Sequence, residues 1–326
     1  MSAISVEGLI KRYGDHVAVG GIDFEIQRGE VYGLLGQNGA GKTTTVEILE
    51  GFRERTSGTV RVLDTDPADA DRAFRDRIGV VLQAAGIEKE FSVREIIELY
   101  ASSYRAPRSV AEVIEMVELE EKADERVGSL SGGQQRRVDL ALGIVGRPEV
   151  LFLDEPTTGF DPQARRRAWD VIERLGDDGT TIVLTTHYLD EAEHLADRVG
   201  VLAGGTMVAE GPPSLLTAQL GGTVVSWTMP DGTDLAVVET VVGPLLDASP
   251  RVSGRRVEAT VDAPTVAVHR LTGWAIDAGI ELESLSVQRA SLEDVFLSLA
   301  DADADAAGNA DADDVDAVST GRGGHD

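Results

Sequence analysis

The chain has no cysteine and only four lysines (Lys11, Lys42, Lys89 and Lys122) in 326 residues. The first absence excludes disulfides and thiolate metal sites. Aromatic residues are scarce too, at 5%, so any core must be aliphatic. No run approaches the ~18 apolar residues that a spanning helix requires. Met1 to Glu7 has neither the basic start nor the apolar stretch of a secretory leader. A soluble, cytoplasmic chain is therefore expected.

Acid is what the chain has in excess. The net charge is −27, and the cations are almost all arginine, 26 against the four lysines. Such a surface argues against non-specific binding to nucleic acid or anionic lipid, both of which reward basic patches. It fits a salt-rich cytoplasm, where screening weakens self-repulsion, and equally a GC-rich genome that favours Arg and Ala codons.

Residues 1 to about 220 read as one α/β domain. Val31–Leu35, Val150–Leu153 and Thr181–Leu184 are short, mostly apolar runs bounded by Gly, Pro or acid. Such runs are expected to be strands buried on both faces of a parallel sheet. Ser92–Tyr104 and Val110–Val117 carry helical spacing, which implies a helical insertion over about 88–145. Gly211-Pro212-Pro213 breaks the pattern, and a short helical stretch runs on to Leu220. Gly221-Gly222 then opens a small α+β domain over 221–300. Its expected strands are Thr223–Met229, Leu235–Val242, Arg256–Val261 and Leu282–Gln288, with a helix over Val266–Ala278. Residues 301–326 hold eight Asp and one Arg and too little apolar surface to fold, so a disordered acidic tail is expected.

Chemistry enters at Gly36-Gln37-Asn38-Gly39-Ala40-Gly41-Lys42-Thr43, followed by Thr44. This matches the G-x-x-x-x-G-K-[ST] phosphate loop. Small residues let backbone N–H groups turn towards phosphate oxygens, Lys42 supplies charge, and Thr43 places a hydroxyl for Mg²⁺. A helix starting near Lys42 aims its positive end at the same anions. Asp154 closes the apolar run Val150–Leu153, the position of a carboxylate that holds Mg²⁺ in P-loop ATPases. Glu155 follows at once, beyond the strand end, where Pro156 helps the chain turn and the carboxylate can reach an attacking water as general base.

Ser131-Gly132-Gly133-Gln134 has capping-box form, Ser at the N-cap and Gln three residues on. The helix behind it presents Val138, Ala141, Leu142 and Val145 on one face. With no bulky side chain at Gly132-Gly133, its N-terminus can approach an anion. Standing alone the four residues would describe an ordinary capped helix.

In this order and spacing, the phosphate loop, Leu130-Ser131-Gly132-Gly133-Gln134 and Val150-Leu151-Phe152-Leu153-Asp154-Glu155 resemble the ATP-binding cassette (ABC) ATPases over roughly residues 4–215. The resemblance implies a P-loop NTPase fold, ATP and Mg²⁺ as ligands, and a head-to-tail dimer. In that dimer Ser131–Gln134 of one copy closes on ATP held by residues 36–44 of the other. It further implies that Tyr13 stacks on adenine, and that Gln83 senses Mg²⁺ and the membrane partner. Asp161, within Thr157-Thr158-Gly159-Phe160-Asp161-Pro162, would lie on the loop joining the two sites, and His187 would contact the γ-phosphate. Phe160 departs from the family, which usually has leucine there; the bulkier ring bears on subunit packing.

Gln135-Arg136-Arg137-Val138-Asp139-Leu140-Ala141 and Ser291-Leu292-Glu293-Asp294-Val295-Phe296 resemble more narrowly the daunorubicin/doxorubicin-resistance type of exporter ATPase. Ser291 and Asp294 could cap a helix with Leu292, Val295, Phe296 and Leu299 on one stripe. The resemblance implies an ATPase subunit at the cytoplasmic face of the membrane, bound to an integral membrane permease and driving export, with no nucleic-acid partner. The rival readings are a soluble ABC ATPase acting on ribosomes or DNA, and an importer ATPase. A single cassette, no heptad array, no cysteine and strong acidity disfavour the first, and the Leu292–Phe296 ending disfavours the second.

Overall fold

The computed structural model describes residues 2–82, 86, 88–219, 223–233, 235–289 and 291–292. Gln83, the Leu220-Gly221-Gly222 junction, the 293–299 stripe and the acidic tail lie outside the described residues. The chain divides between Pro213 and Ser214 into two compact units. Among the described residues no helix is long and apolar enough to cross a membrane.

The strands of the first unit are β1 (Ser2–Tyr13), β2 (His16–Gln27), β3 (Val31–Gly36), β4 (Ser57–Val62), β5 (Ile78–Val81), β6 (Val150–Asp154), β7 (Thr181–Thr186), β8 (Arg198–Ala203) and β9 (Thr206–Gly211). Six form one sheet in the order β5-β6-β7-β3-β8-β9, parallel except for β9. Side-chain alternation explains its double burial. Leu151 and Leu153 face a core shared with the helices Val93–Ala101, Val110–Met116, Gly132–Ile144 and Pro162–Asp177. Val150 and Phe152 face the opposite core, shared with the helix Lys42–Leu49 and the antiparallel sheet β2-β1-β4. The three strands expected to be buried on both faces are so buried.

The helical insertion lies between β5 and β6, starting with Val93–Ala101 under a Ser92–Glu95 capping box. Its helix Gly132–Ile144 can press against β5 because glycines meet there. A Cβ on Gly79 would stand 2.2 Å from the Gly143 carbonyl oxygen.

The second unit is α+β. β10 (Thr223–Thr228), β11 (Arg251–Ser253), β12 (Arg256–Val261) and β13 (Glu283–Arg289) form an antiparallel sheet in the order β11-β12-β10-β13. Trp227, Val225, Val257 and Ala259 build its core with Ala267 and Leu271 of the helix Pro264–Ala278. The stretch 235–242 is not the expected strand. Val238–Val242 is a turn of π-helix that continues into the helix Gly243–Leu246. Its β-branched residues favour a strand locally. The buried positions Val238, Val242 and Leu246 are instead four apart, and burying that helical stripe decides the outcome.

Candidate nucleotide site

The sheet order sets β7 between β6 and β3, so three strand ends stand side by side. Register aligns Asp154 with Thr185, and Leu35 with Thr186. Residues after the C-terminal ends of β3, β6 and β7 therefore converge, as at the ligand edge of open α/β sheets.

β3 runs into the loop 36–41, and the helix Lys42–Leu49 begins without a side-chain cap. Its first-turn N–H groups and positive dipole end are thereby offered to an anion. Gly41 has φ 101°, and a Cβ there would stand 2.5 Å from the Ala18 carbonyl oxygen of β2. Only glycine lets the loop turn this closely on that strand. Lys42 is buried and folds into the loop, donating from Nζ to the carbonyls of Gly36 (2.6 Å) and Gln37 (3.1 Å). Burial lowers the Lys42 pKa below the usual lysine value, while the negative charges of Glu155 and Asp154 oppose that shift. Thr43 is exposed and Thr44 half-buried.

The Asp154–Glu155 corner is held by Thr185 of β7. The Thr185 hydroxyl donates to Asp154 Oδ1 (2.5 Å) and accepts from the Glu155 N–H (3.2 Å). The same N–H also reaches the Thr185 carbonyl (3.0 Å). Glu155 is left-handed, with φ 47°, a state a side chain other than glycine keeps only when its surroundings impose it. Thr158 donates to Glu155 Oε2 at 3.1 Å, and His187 Nδ1 stands 3.4 Å from the same oxygen. Asp154 and the exposed Thr43 both carry oxygen, the donor type that Mg²⁺ takes.

The remaining predicted residues sit on other elements. Ser131 caps the helix Gly132–Ile144 in a full capping box with Gln134, as its sequence pattern implies, and Ser131 and Gly132 are exposed. Gly133 lies beside Ala164 of the next helix. Among the described residues no hydrogen bond joins Ser131–Gln134 to the loop 36–44 of the same chain. Asp161 caps the helix Pro162–Asp177, accepting from Gln163 and Ala164 N–H groups at 2.9 Å. Tyr13, at the end of β1, is 42% exposed, with Arg53 donating to its hydroxyl at 2.5 Å and Lys11 4.9 Å over its ring.

Two residues escaped the sequence reading. Thr185 acts across strands, which a local motif cannot reveal. Glu191 is fully buried, accepting from Thr157 Oγ1 (2.8 Å) and Trp169 Nε1 (3.0 Å), and so joins the 155–161 loop to two helices. Its one local signal is an acid at an otherwise apolar helical position beside Ala192 and Leu195.

A phosphate loop feeding a helix, with a carboxylate pair at the end of a parallel strand one removed in the same sheet, defines a P-loop nucleotide triphosphatase. Comparison with known proteins makes the class specific. The ABC transporter family matches residues 19–158, and the family of C-terminal domains of ABC transporter domain-containing protein-like chains matches 223–291. The daunorubicin resistance ATP-binding protein DrrA3 of Streptomyces coeruleorubidus is 38% identical, covering 91% of this chain and 96% of its own length. The Nod factor export ATP-binding protein I of Burkholderia pseudomallei (strain 1710b) is 39% identical, covering 92% and 97%. An ATP-binding cassette solved as a dimer in a post-hydrolysis state with ADP and Pi superposes with TM-score 0.58 at 27% identity, over 64% of this chain and 98% of that one. CbiO1 from Clostridium perfringens, part of the ABC transporter complex cbiONQ, gives 0.60 at 29% identity, over 67% and 92%. The chain belongs to the ABC transporter family as an ATP-binding subunit, an ATPase coupled to transport.

Proposed function

We propose that this chain is the ATP-hydrolysing subunit of an ABC exporter, working as a head-to-tail pair on the cytoplasmic face of an integral membrane permease. The observation that supports it best is the corner at β6. Glu155 is turned out of the strand, tied to Thr185, and set beside Asp154 in the field of Lys42.

In this reading the N–H groups and Lys42 of residues 36–44 take the phosphates of ATP, and Tyr13 takes the adenine. Thr43, Asp154 and Gln83 would hold Mg²⁺, whose chemistry is to neutralise charge on the β- and γ-phosphates. Ser131–Gln134 of the second copy closes on the γ-phosphate, and Asp161 lies on the loop between the sites. Glu155 accepts a proton from water as its oxygen attacks the γ-phosphorus. His187 contacts the γ-phosphate, and ADP and phosphate leave. ATP favours the closed pair only through its differential affinity for that state.

Export is supported by the names of the two relatives, one for daunorubicin resistance and one for Nod factor export. Their cargoes differ, and the cargo path belongs to the permease. The test is a pull-down of tagged Glu155→Gln from detergent-solubilised membranes with ATP. A multi-span membrane protein at equal stoichiometry is expected, and ribosomal proteins in its place would contradict the reading.

A further inference from the structure

Arg136 lies one turn into the helix that starts at Gly132, yet its guanidinium serves other elements. It donates from Nη2 to the carbonyls of Asp154 (3.0 Å) and Glu155 (3.2 Å), from Nε to that of Pro156 (3.2 Å), and from Nη1 to that of Leu82. The Asp154 carbonyl closes β6, and those of Leu82, Glu155 and Pro156 lie just past the ends of β5 and β6; all four fall beyond the last β5–β6 pair, where backbone acceptors need another donor. Asp139, three residues along the helix, anchors the guanidinium at 3.6 Å, and both side chains are 10% exposed. A planar fork with five N–H donors can satisfy such an array, whereas a lysine ammonium reaches fewer acceptors from one point.

We propose that Arg136 is a positioning residue for hydrolysis, tying the helix that carries Ser131–Gln134 to the backbone of Asp154, Glu155 and Pro156, so that a displacement of this helix moves Glu155. The inference rests on the reading of Glu155 as general base. The helix starts at the residues that would meet the second copy's ATP, and Arg136 sits one turn further along it. Three consecutive carbonyls on a single guanidinium, at a residue with φ 47°, make the corner's geometry depend on where that guanidinium is held. Closure at one nucleotide would thus set the base at the other.

The test measures ATP affinity, kcat and melting temperature of the full chain carrying Arg136→Lys, Arg136→Gln, Glu155→Gln or, as a neighbouring structural control, Arg137→Lys. Arg137 donates to the Val117 and Glu118 carbonyls beyond the end of a preceding helix and makes none of these contacts. The expected result is a kcat about 10²-fold lower for Arg136→Lys, the scale of a misplaced catalytic group. ATP affinity stays within about twofold of wild type, because the bonds to Leu82, Asp154, Glu155 and Pro156 lie outside residues 36–44, and Arg137→Lys keeps its kcat. Wild-type kcat in Arg136→Lys alongside an inactive Glu155→Gln overturns the proposal and leaves the general base standing. ATP affinity falling in step with kcat overturns it as well, marking a structural role. Wild-type turnover by Glu155→Gln removes the general base, and the proposal with it.

Discussion

His187 Nδ1 stands 3.4 Å from Oε2 of Glu155, the same oxygen that Thr158 approaches to 3.1 Å. The two side chains come from the ends of β7 and β6, adjacent in the sheet, so the contact follows from strand order. It places an imidazole beside the carboxylate that would take the proton from water.

Lys42→Ala is expected to weaken ATP binding while leaving the fold intact. Hydrogen bonds to charged groups contribute about 1.5–3 kcal/mol, equivalent to roughly 10- to 150-fold in the dissociation constant. Equilibrium binding of a fluorescent ATP analogue would measure it. An unchanged constant would dissociate Lys42 from the phosphates.

Glu191→Ala is expected to destabilise the first unit without touching nucleotide. The substitution strands the Thr157 hydroxyl and the Trp169 indole N–H, which share Glu191 Oε1. The buried Thr157 hydroxyl left unsatisfied costs about 1–3 kcal/mol, and the half-buried indole N–H less. A clear drop in the urea midpoint is expected, and no drop would show that the two donors find other partners.

Glu50 makes stability depend on pH. Burial raises its carboxyl from 4.5 to about 8, and the negative charges of Asp154 and Glu47 add to the effect. Between those two pH values the folded chain holds a proton that the unfolded chain has released. The native state binds more protons, so this group's contribution to stability falls as pH rises from 4.5 to 8. Glu50→Gln is expected to gain on wild type across that window, most above pH 8. Melting temperatures of both proteins at the two ends of the window would show it, and a constant difference between them would refute it.

How much of this was legible in the sequence depended on the range of each interaction. Ser131 and Gln134 form their capping box within four residues, so the pattern shows on its face. The apolar run Val150–Leu153 announces a doubly buried strand for the same reason. In β1 the alternation is interrupted by register shifts after Val6 and again after Lys11, and the antiparallel sheet it centres went unread. Over 235–242 the residue types favoured a strand while the burial period was helical, and packing prevailed. Thr185 and Arg136 act on residues some twenty to thirty positions away, or more, and these become neighbours only once β5, β6 and β7 lie side by side.

In the proposed function Glu155 drives hydrolysis at a site completed by a second copy. The most direct measurement of this takes Glu155→Gln with ATP and follows phosphate release and molar mass by light scattering together. The expected result is ATP bound, hydrolysis lowered by about 10²- to 10⁴-fold, the range general base catalysis supplies, and a dimer that persists while ATP is present. A variant that hydrolyses ATP like wild type, or remains a monomer with ATP bound, would contradict it.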